Sequence, residues 1–71
     1  MESKEHKFKR IASKRVEVIL KNLDLLSNCS NKSHYSYNTE DINKIFKTIN
    51  TAVKISKSSF ESKLKTKKFQ L

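Results

Sequence analysis

The apolar residues Phe8, Ala12, Val16, Ile19, Leu23 and Leu26 recur at steps of four, four, three, four and three. That spacing is one face of an α-helix and predicts a helix over about residues 5 to 26. A second series, Ile11, Val18 and Leu25, repeats every seven residues and lies roughly a quarter turn away around the same helix. The first helix thus carries more apolar surface than one neighbour needs. Either a second helix makes a broad contact with it, or the heptad series is a seam for another chain.

The stretch from Ser27 to Asn38 is polar and aperiodic, rich in Ser and Asn, and predicts a long loop. With no glycine in the chain, Asn28 and Asn31 are expected to take the left-handed conformation that stops the first helix. A second helix is expected over about 39 to 65. Asn38 is a suitable N-cap, Glu40 and Asp41 place negative charge in the first turn, and Tyr37 can pack on Ile42 as a hydrophobic staple. Its stripe runs through Ile42, Ile45, Phe46, Ile49, Ala52, Val53, Phe60 and Leu64, and residues 66 to 71 are expected to fray as a basic tail.

The absence of Gly and Pro argues against tight hairpins of strands, so the expected fold class is all-α. The 71 residues make one small domain, a two-helix antiparallel hairpin that associates into a bundle with itself or a partner, because so short a chain has a marginal core. Antiparallel pairing would set Leu26 near Ile42, Ile19 near Ile49 and Phe8 near Phe60. The same register puts Ala12 opposite Ser56, the gap in the second stripe.

Charge sharpens this picture, because the net +9 belongs to the two ends. Residues 1 to 16 hold six Lys and Arg against two Glu, residues 53 to 71 hold six Lys against one Glu, and the stretch between them is neutral. A chain folded back once would join both ends in one basic pole able to seat phosphates. The candidates for nucleic-acid contact are Lys4, Lys7, Lys9, Arg10, Lys14, Lys57, Lys63, Lys65, Lys67 and Lys68. The plainer alternative is a solvated surface that keeps a small protein soluble, although such surfaces mix both signs along their length. Fourteen Lys against two Arg favour point contacts with backbone phosphates over reading of base edges, so sequence specificity should be weak. Tyr35 and Tyr37 could stack on unpaired bases or cap a helical core, and capping suits Tyr37.

Other chemistries find little support. His6 and His34 have no catalytic partners at a recognisable spacing, no catalytic residue is assigned, and the chain is not expected to be an enzyme. One cysteine, Cys29, with two histidines falls short of a structural zinc set, so neither metal nor cofactor is expected. No apolar run reaches the ~18 residues of a membrane span and no signal peptide is evident, which suggests a cytoplasmic protein with no membrane partner. A loop of about a dozen residues is too long for a helix-turn-helix motif.

The residues expected at a protein interface are Ile11, Arg15, Val18, Asn22, Leu25 and Tyr35. Arg15 and Asn22 lie seven apart between the two apolar series, where they either flank an exposed stripe or fix the register of a partner helix. The runs Arg10-Ile11-Ala12-x-Lys14-Arg15-Val16, Leu25-Leu26-Ser27-Asn28-Cys29-Ser30-Asn31 and Tyr35-Ser36-Tyr37-Asn38-Thr39-Glu40-Asp41-Ile42-x-Lys44-Ile45-Phe46 resemble short basic proteins of Gram-positive mobile elements. They are similar in particular to the small accessory proteins encoded beside a polymerase or primase gene on staphylococcal cassette chromosomes. The resemblance implies a noncatalytic partner in DNA replication of a mobile genetic element. Such a protein would bind a polymerase-like or primase-like protein and help it hold single-stranded DNA. A homodimer is a further expectation. The rival is a protein-protein adaptor whose lysines meet an acidic protein surface.

Overall fold

The computed structural model describes residues 1 to 64. They contain two α-helices, α1 (Lys4–Ser27) and α2 (Thr39–Leu64), with a short 3-10 turn at Asn28–Ser30, and no strand among the described residues. The chain divides into two units, Met1–Ser36 and a second that begins at Tyr37. The expected basic tail, 66 to 71, lies outside the described residues.

In the first unit, α1 begins at Ser3, whose hydroxyl accepts the backbone N–H of His6 at 3.0 Å while its carbonyl accepts that of Lys7 at 2.9 Å. Such a cap satisfies one of the four orphan donors of a helix start and stabilises it by ~1 kcal/mol. The helix therefore starts one residue before the position expected from the apolar stripe, which gives no signal ahead of Phe8.

The end of α1 corrects the expected stop. Neither Asn28 nor Asn31 is left-handed: Asn28 has φ −65° and ψ −20°, Asn31 has φ −68° and ψ 106°, and no described residue has positive φ. Ser27, expected in the loop, belongs to the helix, and its hydroxyl donates back to the Leu23 carbonyl at 3.0 Å. The chain then tightens into the 3-10 turn, with the Asn31 N–H donating to the Asn28 carbonyl at 3.4 Å. A tightened last turn consumes helix carbonyls without a left-handed residue. Asn31 then organises the next turn: its Oδ1 accepts from the Ser33 N–H at 2.9 Å, and its carbonyl accepts from His34 at 3.1 Å and Tyr35 at 3.0 Å. This side-chain-to-backbone bond two residues on is an Asx turn.

In the second unit, α2 opens on a reciprocal cap. The Asp41 N–H donates to Asn38 Oδ1 at 2.8 Å, and the Asn38 N–H donates to Asp41 Oδ2 at 3.1 Å. Asn38 is thus the cap its type suggests, and Asp41 does more than complement the helix dipole, since it closes a capping box. Tyr37 and Ile42 are both partly buried, as a staple requires, among exposed neighbours. Farther along, Thr48 and Ser59 donate their hydroxyls to the carbonyls of Lys44 at 2.9 Å and Ile55 at 3.3 Å, so these weak helix formers are satisfied within the helix.

No side chain of α1 and none of α2 is fully buried. On α1 the partly buried positions are Ile11, Ala12, Leu23 and Leu26, and on α2 they are Ile42 and Ile49. Every one of them belongs to a predicted apolar series.

Candidate nucleic-acid interface

A helix turns roughly 100° per residue, so positions three, four and seven apart share a face. On α1 that rule gathers Lys7, Arg10 and Lys14, and adds Lys21, which lies seven residues beyond Lys14 in the segment read as neutral. Lys9 is separated from them. It lies on the other side of α1, where its Nζ pairs with the Glu5 carboxylate at 3.1 Å. Lys4 sits three residues before Lys7, and the two border a shallow depression floored by Phe8, Ile11 and Ala12.

Arg10 is engaged from outside the helix. Its Nε donates to Glu2 Oε2 at 2.9 Å and its second guanidinium nitrogen donates to Oε1 at 3.0 Å. His6 Nε2 stands 3.8 Å from the same Oε2. The carboxylate raises the Arg10 pKa above its ordinary value, with a smaller opposing effect of desolvation. Paired N–H donors on one planar acceptor are also how arginine binds a phosphate, so Glu2 occupies the position an anion would take. Among the described residues, Lys4, Lys7, Lys14, Arg15 and Lys21 have no acidic partner.

On α2 the candidates Lys57 and Lys63 are six residues apart and face different directions. Lys54, three residues before Lys57 and seven after Lys47, shares the Lys57 side instead. Lys63 lies in the last described turn, where a cation suits the helix dipole. The candidates Lys65, Lys67 and Lys68 lie outside the described residues. Reading charge by runs along the chain places Lys21 in the neutral stretch and counts Lys54 in the basic one; reading it by helix face sets Lys21 beside Lys14 and Lys54 beside Lys57.

The expected protein interface also has a distinct geometry. Val18 is 58% exposed and Leu25 53%, while Ile11 is partly buried. Ile11, Lys14, Arg15, Val18 and Ile19 line a second shallow depression. Asn22 lies one turn beyond Val18 on the Arg15 side. Tyr35 belongs to the turn after α1, is 52% exposed, and meets the His34 ring edge-on at 6.3 Å between centroids. Cys29 is an exposed free thiol whose Sγ lies 4.0 Å from the Leu25 carbonyl.

Among the described residues no three His, Cys, Asp or Glu side chains converge on a metal position, and no helix is long and apolar enough to cross a membrane. No protein-family model matches the chain, and comparison with curated proteins and with solved structures finds no match.

Proposed function

We propose that this chain is a noncatalytic nucleic-acid-binding accessory subunit that supports DNA replication or priming on a mobile genetic element, beside a polymerase-like or primase-like protein. The observation that carries the reading is the face of α1 shared by Lys7, Arg10, Lys14 and Lys21. Seven residues advance a helix by about 10.5 Å, so Lys7, Lys14 and Lys21 form an evenly spaced rail along about 21 Å of axis. A rail of ammonium groups follows a phosphate backbone without reading bases, which suits single-stranded DNA and weak sequence specificity. The replication setting comes from the resemblance to mobile-element proteins alone.

In this reading α1 and α2 pack as an antiparallel hairpin, with the Phe8 to Leu26 stripe against the Ile42 to Leu64 stripe. Covering one Leu, Ile or Phe side chain contributes ~1.5 to 3 kcal/mol, which is the main gain available to two helices whose caps contribute ~1 kcal/mol each. The hairpin also brings the positive ends of the chain to one pole, where lysines from both helices engage the same strand.

The test is a fluorescence anisotropy titration of labelled single-stranded and duplex oligonucleotides at about 50 mM and 200 mM salt. Engagement of about six phosphates gives a log-log slope on the order of −4 to −5. No binding at the lower salt overturns the reading in favour of the protein adaptor.

A further inference from the structure

The three lysines of the rail have a second neighbour. Each seam residue of α1 has lysine on the same flank: Lys7 and Lys14 beside Ile11, Lys14 and Lys21 beside Val18, and Lys21 beside Leu25, all at separations of three or four residues. Arg15 and Asn22 border the other flank at the same separations. The seam is therefore a narrow apolar strip about 21 Å long, edged by three lysines on one side, by Arg15 and the neutral Asn22 on the other, and by no carboxylate at these separations.

From this arrangement we infer that the Ile11, Val18 and Leu25 face receives an amphipathic helix of a partner protein whose apolar stripe is bordered by Asp and Glu. The inference rests on the accessory-subunit reading for the existence of a protein partner and adds the chemistry that recognises it. Charge complementarity selects the occupant. A second copy of α1 would set this lysine row against an identical row when antiparallel and against Arg15 and Asn22 when parallel, so neither pairing supplies a carboxylate and both place like charges along the seam. Nucleic acid would leave the apolar strip unused, since phosphates need only the lysines. An acidic-edged helix of about four turns covers the apolar residues and pairs with both flanks at once, the helix-in-groove mode of recognition.

Two designed peptides of 21 residues test this against the full chain. One carries Leu at heptad a and d positions with Glu on both flanks, and the other is a scramble of equal composition and charge. The patterned peptide is expected to bind at least tenfold more tightly than the scramble. The double variant Val18→Ser, Leu25→Ser is expected to lose at least tenfold of that affinity while its oligonucleotide affinity stays within twofold. Because serine lowers helicity, the milder Val18→Ala is measured alongside, with circular dichroism confirming α1, and is expected to weaken the peptide several-fold. Equal binding of both peptides overturns the inference, as does a concentration-dependent dimer, seen by sedimentation, that excludes the peptide. It is also overturned if the double variant loses binding to phosphatidylserine vesicles and keeps the peptide. Failure of the unsubstituted chain to bind the patterned peptide while it binds oligonucleotide removes this inference alone, and the converse removes the nucleic-acid reading alone.

Discussion

Glu2 holds Arg10 through two hydrogen bonds, at 2.9 Å and 3.0 Å, across a separation of eight residues. The pair joins the segment ahead of α1 to its second turn and places a carboxylate on the only arginine of the row that Lys7, Arg10, Lys14 and Lys21 form on one face. A nucleic acid that uses Arg10 has to displace Glu2. Substitution of Glu2→Gln is expected to tighten oligonucleotide binding roughly two- to fivefold at low salt and to steepen the log-log slope by about 0.7 to 0.9. Unchanged affinity in anisotropy titrations would show that Arg10 stays out of the contact.

The face-sharing lysines are separable from the others by salt dependence. Lys7→Ala, Lys14→Ala and Lys21→Ala are each expected to reduce the slope by about 0.7 for a single strand. Lys9→Ala, on the far side with Glu5, is expected to leave it nearly unchanged. The informative comparison is Lys21 with Lys9, since a count of charge by chain segment ranks them in the opposite order.

The reciprocal cap at Asn38 and Asp41 should govern the stability of α2. Asn38→Ala removes the acceptor of the Asp41 N–H and is expected to cost ~0.5 to 2 kcal/mol, whereas Asn38→Asp retains an acceptor of similar reach. Urea denaturation followed by circular dichroism at 222 nm reads the difference.

The proposed hairpin register is tested by cross-linking. In a Cys29→Ser background, Ala12→Cys with Ser56→Cys is expected to oxidise to an intramolecular disulfide, because a bridge needs Cα atoms within about 7 Å. Ala12→Cys with Lys54→Cys, which moves the second thiol off the α2 stripe, is expected not to close. Non-reducing electrophoresis at low protein concentration distinguishes the two, and equal yields would exclude the register.

The helices were legible in the sequence because their signals are local. The three- and four-residue steps from Phe8 to Leu26 mark α1, and Asn38 followed by Glu40 and Asp41 marks the start of α2. The start at Ser3 has a weaker signature, because the only clue to a helix start there is its own hydroxyl, with no apolar residue before Phe8 to set the period. The end of α1 differs from the expected one because left-handed Asn is only one way to finish a helix without glycine. Here Ser27 bonds back to Leu23 and the chain narrows to a 3-10 turn, an outcome that depends on the hydrogen-bond partners of several residues together. Among the candidate contacts, Lys7, Arg10 and Lys14 share one helix face, as their three- and four-residue spacing implies; Lys21 shares it although its own segment is neutral in sum, which a charge total along the chain does not display. Periodicity specifies faces, and which face meets which is decided by contacts far apart in sequence.

The route from α1 to α2 uses right-handed and extended backbone throughout. No position in it is reserved for glycine on stereochemical grounds, so each L-amino acid can enter the Lys32 to Ser36 stretch at no handedness penalty. What the stretch does require is the Asn31 amide that shapes its first turn. A fluorophore or affinity tag grafted between that amide and Tyr37 would thus leave both helix caps intact, and offers a handle for following the chain at work.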